Sequence, residues 1–399
     1  MKRKLRIAMV LASPFPANHG TPGSIKEMAA ALAKEGHELH IVTYPFGEGE
    51  DPPGLRVHRT MDLGFSKKVV VGPTWQKPIL DLLLVLAVCR VVWREKIDVL
   101  HAHNYEGGLV GFLAKLLTRR PLVYNAINTM SDELPSYNFI RPRFLAVWLA
   151  KNLDWFVPRM ADRIISISDD LATFLEEQKI GRDRIDVIPL GIDMTPFEIR
   201  DASSARSRYS VPEGPVVMYT GVLDPFQRID YLIRAMGMVV EEFPKARLVL
   251  VTNIARPEDV EECRRVAGEL GFGDRVDVFL EVPFPEVPLF LAMADVTVVS
   301  RPACPGFPVK LLNYMAASKP IVVFQGSAKG LRDHENAIVV PDHDWEGIGR
   351  GILAILRDGE LGDRLARNGH AWARDNYSWP VLAGRIESLY YELVDPRTS

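Results

Sequence analysis

The sequence predicts an α/β protein of two doubly wound, Rossmann-like domains. Two observations carry that prediction. Short, almost wholly apolar runs such as Ile7–Leu11 and Arg247–Val251 are the mark of parallel strands buried on both faces. Longer segments of helical spacing separate these runs, and the whole alternation restarts near residue 200.

Element by element, Ile7–Leu11 reads as the first strand and Ser24–Glu35 as the first helix, which Gly36-His37 stops. Strands Glu38–Thr43 and Leu55–Arg59 follow, then helix Lys77–Trp93, strand Val99–Ala102, helix Leu109–Leu117 and strand Leu122–Asn125. Strand Ile164–Ser168 and helix Asp170–Gln178 complete a first domain, taken as 1–195. The polar stretch Asp201–Ser210 reads as a link. The second domain, taken as 196–378, runs through strands Val216–Tyr219, Arg247–Val251, Val276–Leu280, Val296–Val299, Pro320–Phe324 and Ala337–Val340. Helices Asp230–Glu242, Pro257–Leu270, Pro285–Ala294, Lys310–Ala317 and Trp345–Arg357 alternate with them. A last helix, Trp379–Val394, is expected to cross back onto the first domain, taking residues 379–399 with it. In such sheets ligands lie at the carboxyl ends of the strands, here expected to face an interdomain cleft.

The chain has 399 residues, 47% hydrophobic and 25% charged, with a formal net charge of −3, so it is neither a disordered chain nor a polycation for nucleic acid. Cys89, Cys263 and Cys304 are too far apart for a metal or redox motif, which points to a reducing cytoplasm. The apolar stretch Ile79–Trp93 carries Asp81 and Arg90 and is too short to span a bilayer.

Two loops carry candidate chemistry. Between the first strand and helix lie Gly20 and Gly23 only, without the three-glycine fingerprint of a dinucleotide site or a Walker loop. Gly20 still precedes a helix N-terminus suited to a phosphate or a sugar hydroxyl, or simply makes a tight turn. The second loop, Cys304-Pro-Gly-Phe-Pro-Val-Lys, opens a helix near Pro308 or Val309. Free amides there form an anion site with Gly306, Phe307, Pro308 and Val309, Lys310 adds a cation for a diphosphate, and Asn313 suits a ribose or hexose hydroxyl. At the end of Val99–Ala102, His103 and Asn104 face the expected cleft, and Gly107 and Gly108 read as a turn or as backbone approaching an acceptor.

The chain resembles the family-four retaining glycosyltransferases of the GT-B fold. The match rests on Leu311-Leu-Asn-Tyr-Met-Ala-Ala-Ser-Lys-Pro-Ile-Val-Val and Asp333-His-Glu-Asn-Ala-Ile-Val-Val-Pro. Tyr219-Thr-Gly-Val-Leu, Gly36-His-Glu-Leu-His, Asp98-Val-Leu-His-Ala-His, Ile188-Pro-Leu-Gly-Ile-Asp and Tyr377-Ser-Trp extend it over nearly the whole chain. The resemblance implies a nucleotide-diphosphate sugar on the second domain, including Gly221, an acceptor on the first, and transfer with retention and no metal ion. It also implies an arginine, a lysine, two glutamates and a histidine where this chain has Val222, Gln227, Pro305, Asn313 and Ile127. Arg228 and Lys310 are then the replacement cations, His103 with Lys310 the catalytic candidates, and Asn104 with Asn128 the acceptor side.

Two functions follow as expectations: an active hexosyltransferase acting on a glycan, lipid-linked or small-molecule acceptor, or a non-catalytic relative that binds a nucleotide, a glycan or a partner enzyme. Residues 139–160 mix Phe144, Trp148, Trp155 and Phe156 with Arg141, Arg143, Lys151 and Arg159. That mixture suits peripheral contact with the inner face of a membrane, or packing into the domain, with Pro142 and Pro158 as the limits of the helix.

Overall fold

The computed structural model describes residues 3–17, 20–47, 49–64, 74, 76–137, 140–199, 201–252, 256–302 and 307–395. It divides into two compact units, Met1–Gly191 with Trp379–Ser399, and Ile192–Ser378.

The first unit runs β1 (Arg6–Leu11), α1 (Gly20–Lys34), β2 (Glu38–Thr43), β3 (Arg56–Arg59), α2 (Lys77–Glu95), β4 (Val99–His103), α3 (Asn104–Thr118) and β5 (Leu122–Ala126). It continues through α4 (Met130–Glu133), α5 (Arg143–Met160), β6 (Arg163–Ser166), α6 (Asp169–Glu177) and β7 (Ile185–Val187). Its seven strands are parallel, in the order β3-β2-β1-β4-β5-β6-β7. Ile7 lies opposite Leu39 on one side and Val99 on the other, so the order reverses between β1 and β4. Alternate residues feed two cores. Ala8, Val10, Leu100 and Tyr124 pack under Leu84, Val88 and Val157 of α2 and α5, while Ile7, Met9 and Val123 pack under Ile25 and Leu32 of α1.

The second unit runs α7 (Ala202–Tyr209), β8 (Val216–Thr220), α8 (Ile229–Glu242), β9 (Arg247–Val251), α9 (Pro257–Glu269), β10 (Val276–Phe279), α10 (Val287–Met293) and β11 (Val296–Val299). Then come α11 (Val309–Ala316), β12 (Ile321–Phe324), β13 (Ile338–Val340), α12 (Trp345–Arg357) and α13 (Gly359–Tyr377). Its six parallel strands follow the order β10-β9-β8-β11-β12-β13, reversing between β8 and β11. That reversal opens the crevice in which ligands of such sheets bind.

The closing helix α14 (Trp379–Val394) belongs to the first unit. Its apolar stripe Leu382, Ile386, Leu389 and Tyr390 completes the core beside α1. Polar contacts fasten it. Trp379 donates to Glu27 at 2.8 Å, and Tyr390 Oη lies 2.6 Å from His101 Nδ1. The amide of Leu5 donates to His37 Nδ1, which leaves Nε2 as the protonated nitrogen facing Glu387 at 3.2 Å.

Three expectations are corrected, and one helix adds to those expected. The stretch Asp201–Ser210 is not a plain link: Asp201 caps α7 by accepting from the Ser204 amide at 3.0 Å, and Ala205 is its one buried residue, so no apolar stripe announces it. Helix α13 went unread because its buried face is mostly small, with Gly362, Ala366, Gly369 and Ala373 beside Leu365. Helix α1 begins at Gly20, so the expected loop Gly20–Ser24 is its first turn. Helix α5 passes through Pro158 to Met160, since a proline so near the C-terminus removes only one hydrogen bond.

Candidate functional site

At the carboxyl end of the second sheet, β8 ends in Thr220 and the chain turns through Gly221 at φ +125°, a conformation that favours glycine. A Cβ at Gly221 would stand 2.9 Å from Lys310 Nζ, so glycine also leaves room for that side chain. Lys310 belongs to the first turn of α11, whose N-cap, Pro308, offers no side-chain acceptor to its amides. Tyr314 ties this helix to β8, its hydroxyl accepting from the Thr220 amide at 2.8 Å.

These elements frame a cavity of 430 Å³. Lys310 Nζ donates to the Tyr219 hydroxyl at 2.6 Å and to Gln227 Oε1 at 3.2 Å. Tyr219 in turn donates to the Val222 carbonyl at 2.8 Å, and burial holds its phenol far above the usual range, so it stays neutral. Arg301, just past β11, brings a second cation to the wall, its guanidinium 4.9 Å from the Phe226 ring centre. Asn313, one turn beyond Lys310, lines the same cavity, as do Phe307, Pro308 and Val309. Val251, Val282, Phe284 and Val287 make an apolar wall. Among the described lining residues there is no carboxylate. A space with two cations, helix amides and an apolar wall can hold an anion joined to a flat or apolar group.

Several expected residues come together here and others do not. Gly221, Phe307, Pro308, Val309, Lys310 and Asn313 share the cavity; Gly306 and Pro305 lie outside the described residues. Arg228 stands elsewhere. It grips Asp230 through two contacts of 2.8 Å, its guanidinium rests 3.6 Å from the Tyr231 ring centre, and it does not line the cavity. Sequence reading missed Arg301, whose one signal is its place directly after the strand that ends at the crevice.

In the first unit, His101 and His103 share a face of β4, with ring centres 4.3 Å apart. Burial, and the neighbouring His101 ring, hold His103 well below the ordinary imidazole value. Its Nδ1 faces Asn125 Nδ2 at 3.4 Å, while His103 Nε2, Asn125 Oδ1 and Asn128 Oδ1 are buried without partners among the described residues. Buried polar atoms left over at the carboxyl ends of β4 and β5 are suited to a ligand or water. Asn128 also donates to Glu133, and Asn104 opens α3 at φ 61°. Gly107 and Gly108 are corrected: both lie inside α3 without positive φ. A Cβ would meet the Val10 carbonyl at 3.0 Å from Gly107, and Val157 Cγ1 at 2.7 Å from Gly108, so both serve close packing of helix on sheet. Gly20 is the first residue of α1.

Helix α5 turns Phe144, Leu145, Trp148, Trp155 and Phe156 outward, so its aromatics do not pack into the domain. No helix of the described residues is long and apolar enough to cross a membrane. One group at the edge of the first sheet, Glu38, His40 and Glu95, gathers potential metal ligands within 4.8 Å, but Arg56 stands 2.6 Å from Glu38 and 3.4 Å from Glu95 as their counter-ion.

Residues 20–191 match the model of the glycosyl transferase 4-like domain, and residues 203–372 that of glycosyl transferases group 1. The chain is 25% identical to a D-inositol 3-phosphate glycosyltransferase of Thermobispora bispora, over 99% of this chain and 96% of that one. It is 27% identical to the Streptosporangium roseum enzyme of the same name, over 98% and 93%. Sucrose-phosphate synthase from Thermosynechococcus elongatus superposes with a TM-score of 0.73 at 20% identity, covering 98% of this chain and 99% of that one. Anabaena HepE in complex with UDP superposes at 0.69 and 18% identity, covering 98% and 100%.

Proposed function

Because the chain belongs to the glycosyltransferases that join a 4-like domain to a group 1 domain, we propose that it moves a hexose, with retention, from a nucleotide-diphosphate sugar to a glycan, lipid-linked or small-molecule acceptor. The observation that carries this reading is the pairing of Lys310 with Arg301 in a cavity whose described walls hold no carboxylate. The diphosphate would rest on the first amides of α11 between those cations, with the base against Phe284 and Val287 and a hydroxyl on Asn313. In the transfer step the bond from the anomeric carbon to the diphosphate breaks. The bond to the acceptor oxygen forms on the same face, and the acceptor proton passes to the departing phosphate oxygen. Lys310, Arg301 and the helix amides stabilise the developing charge, a scheme that asks for no metal ion. The likeness to HepE in complex with UDP supports a nucleotide donor. The acceptor side is assigned to Asn104 and Asn128 and a catalytic role to His103, supported by the leftover polar atoms of His103 and Asn128. Since burial keeps His103 neutral, it would act as a hydrogen-bonding group and not as a cation. The outward aromatics and basic residues of α5 support peripheral contact with an anionic membrane.

Calorimetric titration with uridine and guanosine diphosphates, followed by a screen for hydrolysis and transfer of sugar nucleotides, tests this. Binding with turnover upholds it. Binding without turnover over a broad acceptor set favours the non-catalytic alternative, to which uncharged Val222 and Gln227 at the usual clamp positions point. Absence of binding rejects both.

A further inference from the structure

Helix α2 carries two apolar stripes. Leu80, Leu84, Val88 and Val92 face the core, while Leu83, Leu86 and Ala87 lie on another side in line with Arg90 and Arg94. The second stripe forms one wall of a groove of 320 Å³. The other wall is the end of β3, the edge strand of the seven-stranded sheet.

Its chemistry is of one sign. Arg59, Arg90 and Arg94 line the groove and, among the described residues, no carboxylate does. Arg59 is held by Asp51 and Arg94 lies beside Glu95, but Arg90 makes no ion pair among the described residues. Thr60 lines the groove too and is only 6% exposed. Its amide donates to the Thr43 carbonyl at 3.0 Å, but its buried hydroxyl has no partner among the described residues. A buried hydroxyl without a partner keeps its full desolvation penalty, so a ligand atom or water there relieves it. Guanidinium groups call for an acid and the leucines for hydrocarbon, joined in one molecule.

We propose that this groove binds an anionic amphiphile, an acid headgroup on a hydrocarbon chain, with the acid on Arg90, Arg94 and Thr60 and the chain along Leu83 and Leu86. The groove belongs to the first unit and the donor cavity to the second, and the proposal does not depend on that cavity.

The test is calorimetric titration of the full chain with dodecyl phosphate below its micelle concentration, beside inorganic phosphate and dodecyl maltoside. Dodecyl phosphate is expected to bind at least about tenfold tighter than either control, and both Arg90→Glu and Thr60→Val to weaken it, R90E by about tenfold or more. Both variants should keep the parent's melting temperature within about two degrees, which separates lost binding from lost folding. Vesicles carrying phosphatidic acid report the source of the ligand. Capture that R90E abolishes assigns it to a membrane lipid, binding confined to the free amphiphile assigns it to a soluble one, and both uphold the site. Equal affinity for the maltoside, indifference to both substitutions, or binding that appears only after residues 65–73 are deleted overturns it.

Discussion

Lys310 Nζ stands 2.6 Å from the Tyr219 hydroxyl and 3.9 Å from the centre of that ring, so one side chain, far along the sequence, both bonds and caps the last tyrosine of β8. Tyr219 is fully buried and neutral, so its hydroxyl meets Lys310 as a dipole and not as a counter-ion. Lys310→Met should lower transfer by about 100-fold or more while barely moving the melting temperature. Steady-state kinetics beside thermal melting checks both halves.

The two arginines near the cavity separate cleanly. Arg301→Ala should weaken nucleoside diphosphate binding by about tenfold, the value of a charge-assisted contact. Arg228→Ala should leave that affinity within about twofold, and lower stability by less than about 1 kcal/mol, since its pair with Asp230 is open to solvent. Titration calorimetry and denaturant melts decide between them.

Burial pulls His101 down to about 3 and His103 well below the usual imidazole value. In the unfolded chain both take up protons below about 6.5, while the folded chain resists, so stability is full above that pH and falls as acid is added. At pH 5.5 each contributes a loss of about 1.4 kcal/mol. Melting curves from pH 7.5 to pH 5 measure the slope, and His103→Leu should flatten it.

Tyr390→Phe removes the oxygen 2.6 Å from His101 Nδ1, in a ring whose Nε2 is already without a partner among the described residues. A loss of about 1–3 kcal/mol is expected by urea denaturation, with nucleotide affinity unchanged.

Pelleting with anionic vesicles tests the α5 face. Trp148, 63% exposed, and Phe144, 67% exposed, present large apolar side chains to solvent. Trp148→Ala with Arg143→Glu should move most of the protein to the supernatant, whereas neutral vesicles should bind little of either form.

Alternating apolar runs made the two parallel sheets legible, because strands buried on both faces leave no other pattern. The Lys310 helix was legible too, through its proline, its lysine and its place after a strand. Hidden elements were those whose packing uses small or polar residues: α7 through Ala205 alone, α13 through glycines and alanines. The pairing of Arg228 with Asp230 was not legible, because a charge beside a motif says nothing of its own neighbours. Arg301 escaped because it belongs to no motif and becomes meaningful only when the crevice forms. Gly107 and Gly108 looked like a turn because their neighbours, Val10, Tyr124 and Val157, come from other elements.

During synthesis the order of the chain matters. A ribosome delivers α14 only after every residue of the second unit, yet α14 supplies part of the first unit's interior. The earliest-made half must therefore wait with Ile7, Met9 and Ile25 incompletely covered, while the later half closes upon itself first. A premature stop before residue 379 would spare the second unit and leave the first as a substrate for chaperones and proteases.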